Sequence, residues 1–152
     1  MPKPLQELAV KIFADGADKA SMIEAAKVPW IKGFTTNPTL MRKAGVTDYV
    51  GFAKEVLAEI TDKPVSFEVF SDDFGEMERQ ARIIAAWAPN VYVKIPIMNT
   101  AKKSSAGLVK KLAHDGVKLN VTAILTLAQV KETAQALSPK VPAIVSVFVY
   151  KW

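Results

Sequence analysis

The 152-residue chain is long enough for one domain with a sizeable core, and half of its residues are hydrophobic against 23% charged, a globular balance that excludes disorder. It has no cysteine, which excludes disulfides, thiolate nucleophiles and cysteine metal ligands, and its single histidine, His114, excludes paired-histidine zinc sites and weakens any serine–histidine triad. The net charge of +5 is scattered in pairs such as Lys102-Lys103 and Lys110-Lys111, without a basic block interleaved with aromatics, so a solvated face and a field suited to a phosphorylated substrate are favoured over nucleic-acid binding.

Met1-Pro2-Lys3-Pro4 has no signal-peptide pattern, and no apolar run is long enough to cross a bilayer. The expectation is a soluble, cytoplasmic chain with no membrane partner, folded as a single domain over residues 1–152. The elements follow in order. Leu8 to Ala14 reads as a strand ending at Asp15-Gly16, and Asp18 to Lys27 as a helix stopped by Pro29. Ile31 to Phe34 is a second strand, running into Thr35-Thr36-Asn37-Pro38, where Asn37 suits a helix N-cap and Pro38 the first helical position. Thr39 to Ala44 opens that helix, and Asp48 to Thr61 is an amphipathic one. Val65 to Phe70 is the third strand and Asp72 to Trp87 the next helix, acidic at its start as the helix dipole favours. Asn90 to Pro96 is the fourth strand. A helix from Thr100 to His114, with His114 as a helix-end residue where the helix dipole prefers cations, is broken by Gly116. A fifth strand at Val117 to Val121, a helix at Thr126 to Leu137 and a sixth strand at Ala143 to Phe148 complete the chain. This rhythm means βα units and a parallel sheet, compatible with a doubly wound fold or a (β/α)₈ barrel. No Gly-x-Gly-x-x-Gly or phosphate-loop motif supports the nucleotide-binding doubly wound folds.

The fourth strand, Asn90-Val91-Tyr92-Val93-Lys94-Ile95-Pro96, is β-branched and aromatic, and side chains alternate along it. Val91, Val93 and Ile95 share one face; Tyr92 and Lys94 share the other. Lys94 is then either an edge lysine reaching solvent or a core lysine. A buried ammonium is costly unless paired or deprotonated, and a neutral amine is a nucleophile that forms a Schiff base with a carbonyl. Alternation in the other strands helps to decide. Asp15, Thr35, Glu68, Asn120 with Thr122, and Ser146 fall on the same face of their strands as Lys94, and Asn37 follows in phase. The opposite face is apolar in the first, third, fourth, fifth and sixth strands, with Val10, Val69, Val121, Val145 and Val147 among its members, and is expected to pack against helices. Six polar groups in one layer near the carboxyl ends of strands are hard to explain as packing, because each needs a partner, and this is where barrel enzymes carry their chemistry.

Gly33-Phe34-Thr35-Thr36-Asn37-Pro38-Thr39-Leu40-Met41 resembles the first signature of the transaldolase family, and Val91-Tyr92-Val93-Lys94-Ile95-Pro96 resembles the signature around its Schiff-base lysine. Ile12-Phe13-Ala14-Asp15, Val65-Ser66-Phe67-Glu68-Val69 and Leu119-Asn120-Val121-Thr122 are similar to the family's other strand-end motifs. The resemblance covers nearly the whole chain. It implies an α/β fold of the (β/α) barrel type, here with about six parallel strands by the rhythm above, and lysine chemistry without metal or cofactor. It further implies that Lys94 forms the imine with a ketose phosphate and Asp15 takes the C4 hydroxyl proton. Glu68, with Thr122 through a water, would shuttle protons, while Thr35, Asn37, Asn120 and Ser146 hold substrate hydroxyls. Asn37 remains equally readable as a helix cap. In the fructose 6-phosphate aldolase branch of the family the position of Glu68 is typically glutamine, so Glu68 favours transfer over simple cleavage.

After a Ser-x-Phe like Ser146-Val147-Phe148, family members continue with a Gly-Arg pair, a helix and two more strands. Here Tyr150 and Lys151 stand at those positions before Trp152. Lys151 supplies a charge but not the bidentate fork of an arginine. The resulting expectations are weakened phosphate binding, activity far below that of a full-length relative, and self-association through open sheet edges or swapped elements, with Val147 to Trp152 buried at the contact. The alternative is a weakly active or inactive family member acting as an oligomerising fragment.

Overall fold

A computed structural model describes Pro4, Glu7 and residues 9–149. The chain divides into two compact units at Phe67/Glu68. The first contains β1 (Ile12–Asp15), α1 (Lys19–Ala26), β2 (Ile31–Thr35), α2 (Pro38–Lys43), α3 (Tyr49–Glu59) and all but the last residue of β3 (Val65–Glu68). The second contains α4 (Phe74–Ala85), β4 (Val91–Pro96), α5 (Ala106–His114), β5 (Leu119–Ile124), α6 (Leu127–Ala136) and β6 (Ala143–Val147). Strand order follows chain order within each unit, and the pairings are parallel. Six parallel strands alternating with helices make this the expected α/β fold, an incomplete (β/α) barrel type.

The helix starts are written in local chemistry. Asp18, Asn37, Asp48 and Asp73 each accept from the backbone N–H three residues on, at 2.8–2.9 Å. Thr126 and Gln129 form a reciprocal capping box at the start of α6. Pro38 stands in the first turn of α2, as its fixed φ favours. In the first unit, Phe34, Val56, Ile60, Val65 and Phe67 are fully or nearly fully enclosed. In the second, Val93, Ile95, Leu119, Val121 and Ile124 form the sheet side of a core closed by Met77, Ala81, Val109 and Leu112 from α4 and α5. Gly33 is required by packing: its Cα partner across the sheet is Phe13, and a Cβ there would sit 2.2 Å from the Phe13 ring.

Four expectations are corrected. β1 begins at Ile12, with Ala9 and Val10 in a bend and Val10 68% exposed; Leu8 lies outside the described residues. The helix expected from Thr100 begins at Ala106, because residues 98–104 close a small hairpin: Met98 and Ser104 bridge antiparallel, and the Asn99 side chain accepts from the Lys103 N–H at 2.9 Å. β5 runs on to Ile124 through a bulge, its register shifting between Val121 and Ile124, with Ala123 at φ 59°. The apolar face of β6 is not covered like those of β4 and β5. Val145 and Val147 stay exposed, α6 being the one described helix with substantial packing on that strand.

Candidate active site

In the second unit, β4 sends Val91, Val93 and Ile95 into the core, and alternation turns Lys94 to the other face. The edge-strand reading is excluded. The Lys94 carbonyl accepts from the Val69 N–H at 3.2 Å just past β3, and β5 flanks the other side, with Asn120 as the Cα partner of Lys94. The Lys94 side chain is only 10% exposed, and its Nζ lies 3.3 Å from Oε2 of Glu68, itself 21% exposed. An ammonium held this far from water needs such a counter-charge.

β5 adds two buried polar residues to the same face. Asn120 is fully enclosed, and its Oδ1 accepts from the Ser146 hydroxyl of β6 at 2.7 Å. Thr122, buried, is the Cα partner of Pro96, two residues beyond Lys94. The bulge matters at this point. Without it Ile124 would continue the phase of Asn120 and Thr122, whereas the extra residue at Ala123 returns Ile124 to the core. Thr122 is therefore the last side chain that β5 offers to this face.

The first unit assembles a second polar group. Asp15, ending β1, is the Cα partner of Thr35, whose hydroxyl donates to Asp15 Oδ1 at 2.9 Å. Asn37 caps α2 through its Oδ1, 2.9 Å from the Leu40 nitrogen. The helix-cap reading of Asn37 is realised.

Three residues were missed as structural parts of this region. Thr36 is buried and donates through its hydroxyl to the Ser66 carbonyl at 2.8 Å, fastening the end of β2 to β3. Ser105 is buried, and its hydroxyl donates to the Pro96 carbonyl at 2.5 Å. Asp72 takes both the N–H and the hydroxyl of Thr100, at 2.8 and 2.6 Å. Each sits one to nine residues beyond a polar strand end or strand-end motif, a position that alternation within strands does not reach.

This arrangement can place an amine, a carboxylate, an amide and two hydroxyls within one unit, on strand ends that hold them in fixed register. The model of the transaldolase/fructose-6-phosphate aldolase family matches residues 12–152. Among curated relatives, the "Probable transaldolase" of Dehalococcoides mccartyi is 38% identical over 120 residues, 79% of this chain and 54% of the relative. The "Probable transaldolase 2" of Listeria monocytogenes is 38% identical over 127 residues, 84% of this chain and 56% of the relative. A "Probable transaldolase" of Thermoanaerobacter is 39% identical over the same length and shares. The chain spans about half the length of these relatives. With its family match running from the first residue of β1 to the last residue of the chain, this protein belongs to the transaldolase/fructose-6-phosphate aldolase family.

Proposed function

We propose that the chain carries the chemistry of a lysine-dependent, transaldolase-like transfer. A dihydroxyacetone unit moves from a ketose phosphate, fructose 6-phosphate or sedoheptulose 7-phosphate, to an aldose phosphate. The observation that carries the reading is the near-buried Lys94, 3.3 Å from the Glu68 carboxylate, in a member of this family.

Lys94 as the neutral amine attacks the C2 ketone, and loss of water leaves an imine that stays protonated as an iminium. Asp15 takes the C4 hydroxyl proton as the C3–C4 bond breaks, and that electron pair flows into the iminium to give an enamine while the aldose leaves. Attack of the enamine on an acceptor aldehyde rebuilds the bond, and water releases the product. Glu68, through a water shared with Thr122, moves protons during imine formation and hydrolysis. Thr35, Asn37, Asn120 and Ser146 hold substrate hydroxyls. The net charge of +5 suits the sugar phosphate.

Incubation with fructose 6-phosphate and borohydride, read by intact mass and peptide mapping, is expected to add one reduced sugar adduct at Lys94. An adduct that persists in Lys94→Ala sinks the assignment. Adding an aldose phosphate acceptor separates the two reactions of the family. Transfer consumes the acceptor, whereas simple cleavage releases free dihydroxyacetone at a rate the acceptor does not change.

A further inference from the structure

We propose that Asp72 and Thr100 form a clasp that sets the position of Lys94 against Glu68, making both of them positioning residues for the amine. The proposal rests on Lys94 being the reactive group.

The two strands bearing the ion pair are tied at two levels. At the first, the Val69 N–H donates to the Lys94 carbonyl, immediately beside Glu68 in the chain. At the second, four residues past Glu68 and six past Lys94, both carboxylate oxygens of Asp72 are taken by Thr100, one by its N–H and one by its hydroxyl. The Asn99 side-chain amide adds a longer contact to the Asp72 carbonyl at 3.4 Å. Hydrogen bonds to an ionised carboxylate are the strong kind, and here two come from one residue.

A clasp transmits position only if the loops it joins are stiff, and both are braced. On the Asp72 side, Gln80 Oε1 accepts from the Phe70 and Ser71 N–H groups, and the Ser71 hydroxyl accepts from Asp73. On the Thr100 side, the hairpin of residues 98–104 is closed by the Asn99 bonds to Lys102 and Lys103, and Lys102 is held at φ 60°. A non-glycine residue kept in that conformation marks a loop whose shape is over-determined by its surroundings. Helix capping does not account for Asp72, because Asp73 is the N-cap of α4. What Asp72 joins is the loop after Glu68 to the loop after Lys94.

The test is peptide-resolved reductive methylation of the full chain with formaldehyde and cyanoborohydride, from neutral to alkaline pH, with Lys140 as internal reference. It reads the Lys94 amine without requiring turnover. In Asp72→Asn and Thr100→Val the Lys94 rate relative to Lys140 is expected to rise about threefold or more at neutral pH, as the amine loosens from Glu68. Thr100→Ser, which keeps both bonds, should return it to the wild-type profile. In a Glu68→Gln background the same substitutions should produce no further change, because the partner through which they act is gone. A wild-type Lys94 profile in Asp72→Asn and Thr100→Val, or an undiminished effect in Glu68→Gln, overturns the proposal. Should Asp72→Asn fail to fold, the Thr100→Val and Thr100→Ser pair carries the comparison. Wild-type protein that gives no borohydride adduct with fructose 6-phosphate, yet shows the Thr100→Val shift and its rescue, refutes the Schiff-base reading and leaves the clasp standing.

Discussion

Lys94 and Glu68 stand or fall together, because each is largely removed from water and each supplies the other's counter-charge. Glu68→Gln keeps the shape and deletes the charge. It is expected to destabilise the fold by about 3 kcal/mol, the low end for stranding a buried ion, since Glu68 remains partly wetted. Adding Lys94→Met should recover most of that loss, because two neutral side chains carry no uncompensated charge. Urea unfolding of the four proteins of this cycle gives the coupling directly; additive losses would show that the pair is not an energetic unit. Lys94 itself was legible in the sequence because strand alternation is local. Glu68 was legible as a residue on the same face, but not as the partner 3.3 Å away. The distance depends on which strands lie side by side and in which register.

At the scale of elements, the least regular piece beside the site is the bulge in β5. Ala123 holds φ 59°, a conformation that costs a non-glycine L-residue about 1–2 kcal/mol. Ala123→Gly is therefore expected to stabilise the protein by about 0.5–1 kcal/mol after glycine's extra unfolded-state entropy is counted. A midpoint in urea that moves downward instead would mean that the alanine methyl packs usefully. The Thr126–Gln129 capping box predicts the opposite sign: Thr126→Ala should cost about 1 kcal/mol. The Asp72 clasp carries a pH dependence whose sign can be worked out. The Thr100 hydroxyl, and then its N–H, hold the Asp72 carboxyl below its ordinary value of 3.8. A depressed carboxylate contributes stability that is present above that value and lost as pH falls through the lower, folded one. The protection factor of the Thr100 amide should thus fall on acidification in wild type and be low and pH-insensitive in Asp72→Asn. The cap at Asn37 was readable from residue type and position, whereas the hairpin at 98–104 was not. Its turn is closed by side-chain and bridge contacts rather than by a Gly or Pro signal.

For the molecule as a whole, the open question is the far side of β6. Among the described residues β6 pairs with β5 alone, and Val145, Val147, Phe148 and Val149 are exposed, Val149 at 89%. An unpaired edge flanked by apolar side chains templates association. We propose that a second copy of this chain covers it, and expect sedimentation at micromolar concentration to report a dimer or larger species. Val147→Lys should shift it toward monomer, because a charge on the edge opposes strand addition. A wild-type monomer with intact circular dichroism would overturn this. Tyr150, Lys151 and Trp152, which the sequence reading also assigned to that contact, lie outside the described residues.

The sequence by itself determined what local periodicity and local chemistry can encode. These are the βα rhythm, the helix cap at Asn37, the core face of β4, and the presence of Asp15, Thr35, Glu68, Lys94, Asn120, Thr122 and Ser146 on one side of their strands. Only the tertiary structure decided which of these polar groups meet: Lys94 with Glu68, Ser146 with Asn120, Thr35 with Asp15. The same holds for the bulge that ends the polar face of β5 at Thr122 and for the uncovered flank of β6, where alternation alone anticipated helix packing. The physical reason is common to all of them. Alternation tells a side chain which way to point, but pairing, register and the cover over a sheet come from residues 20 or more positions away in sequence, whose neighbours exist only once the strands have come together.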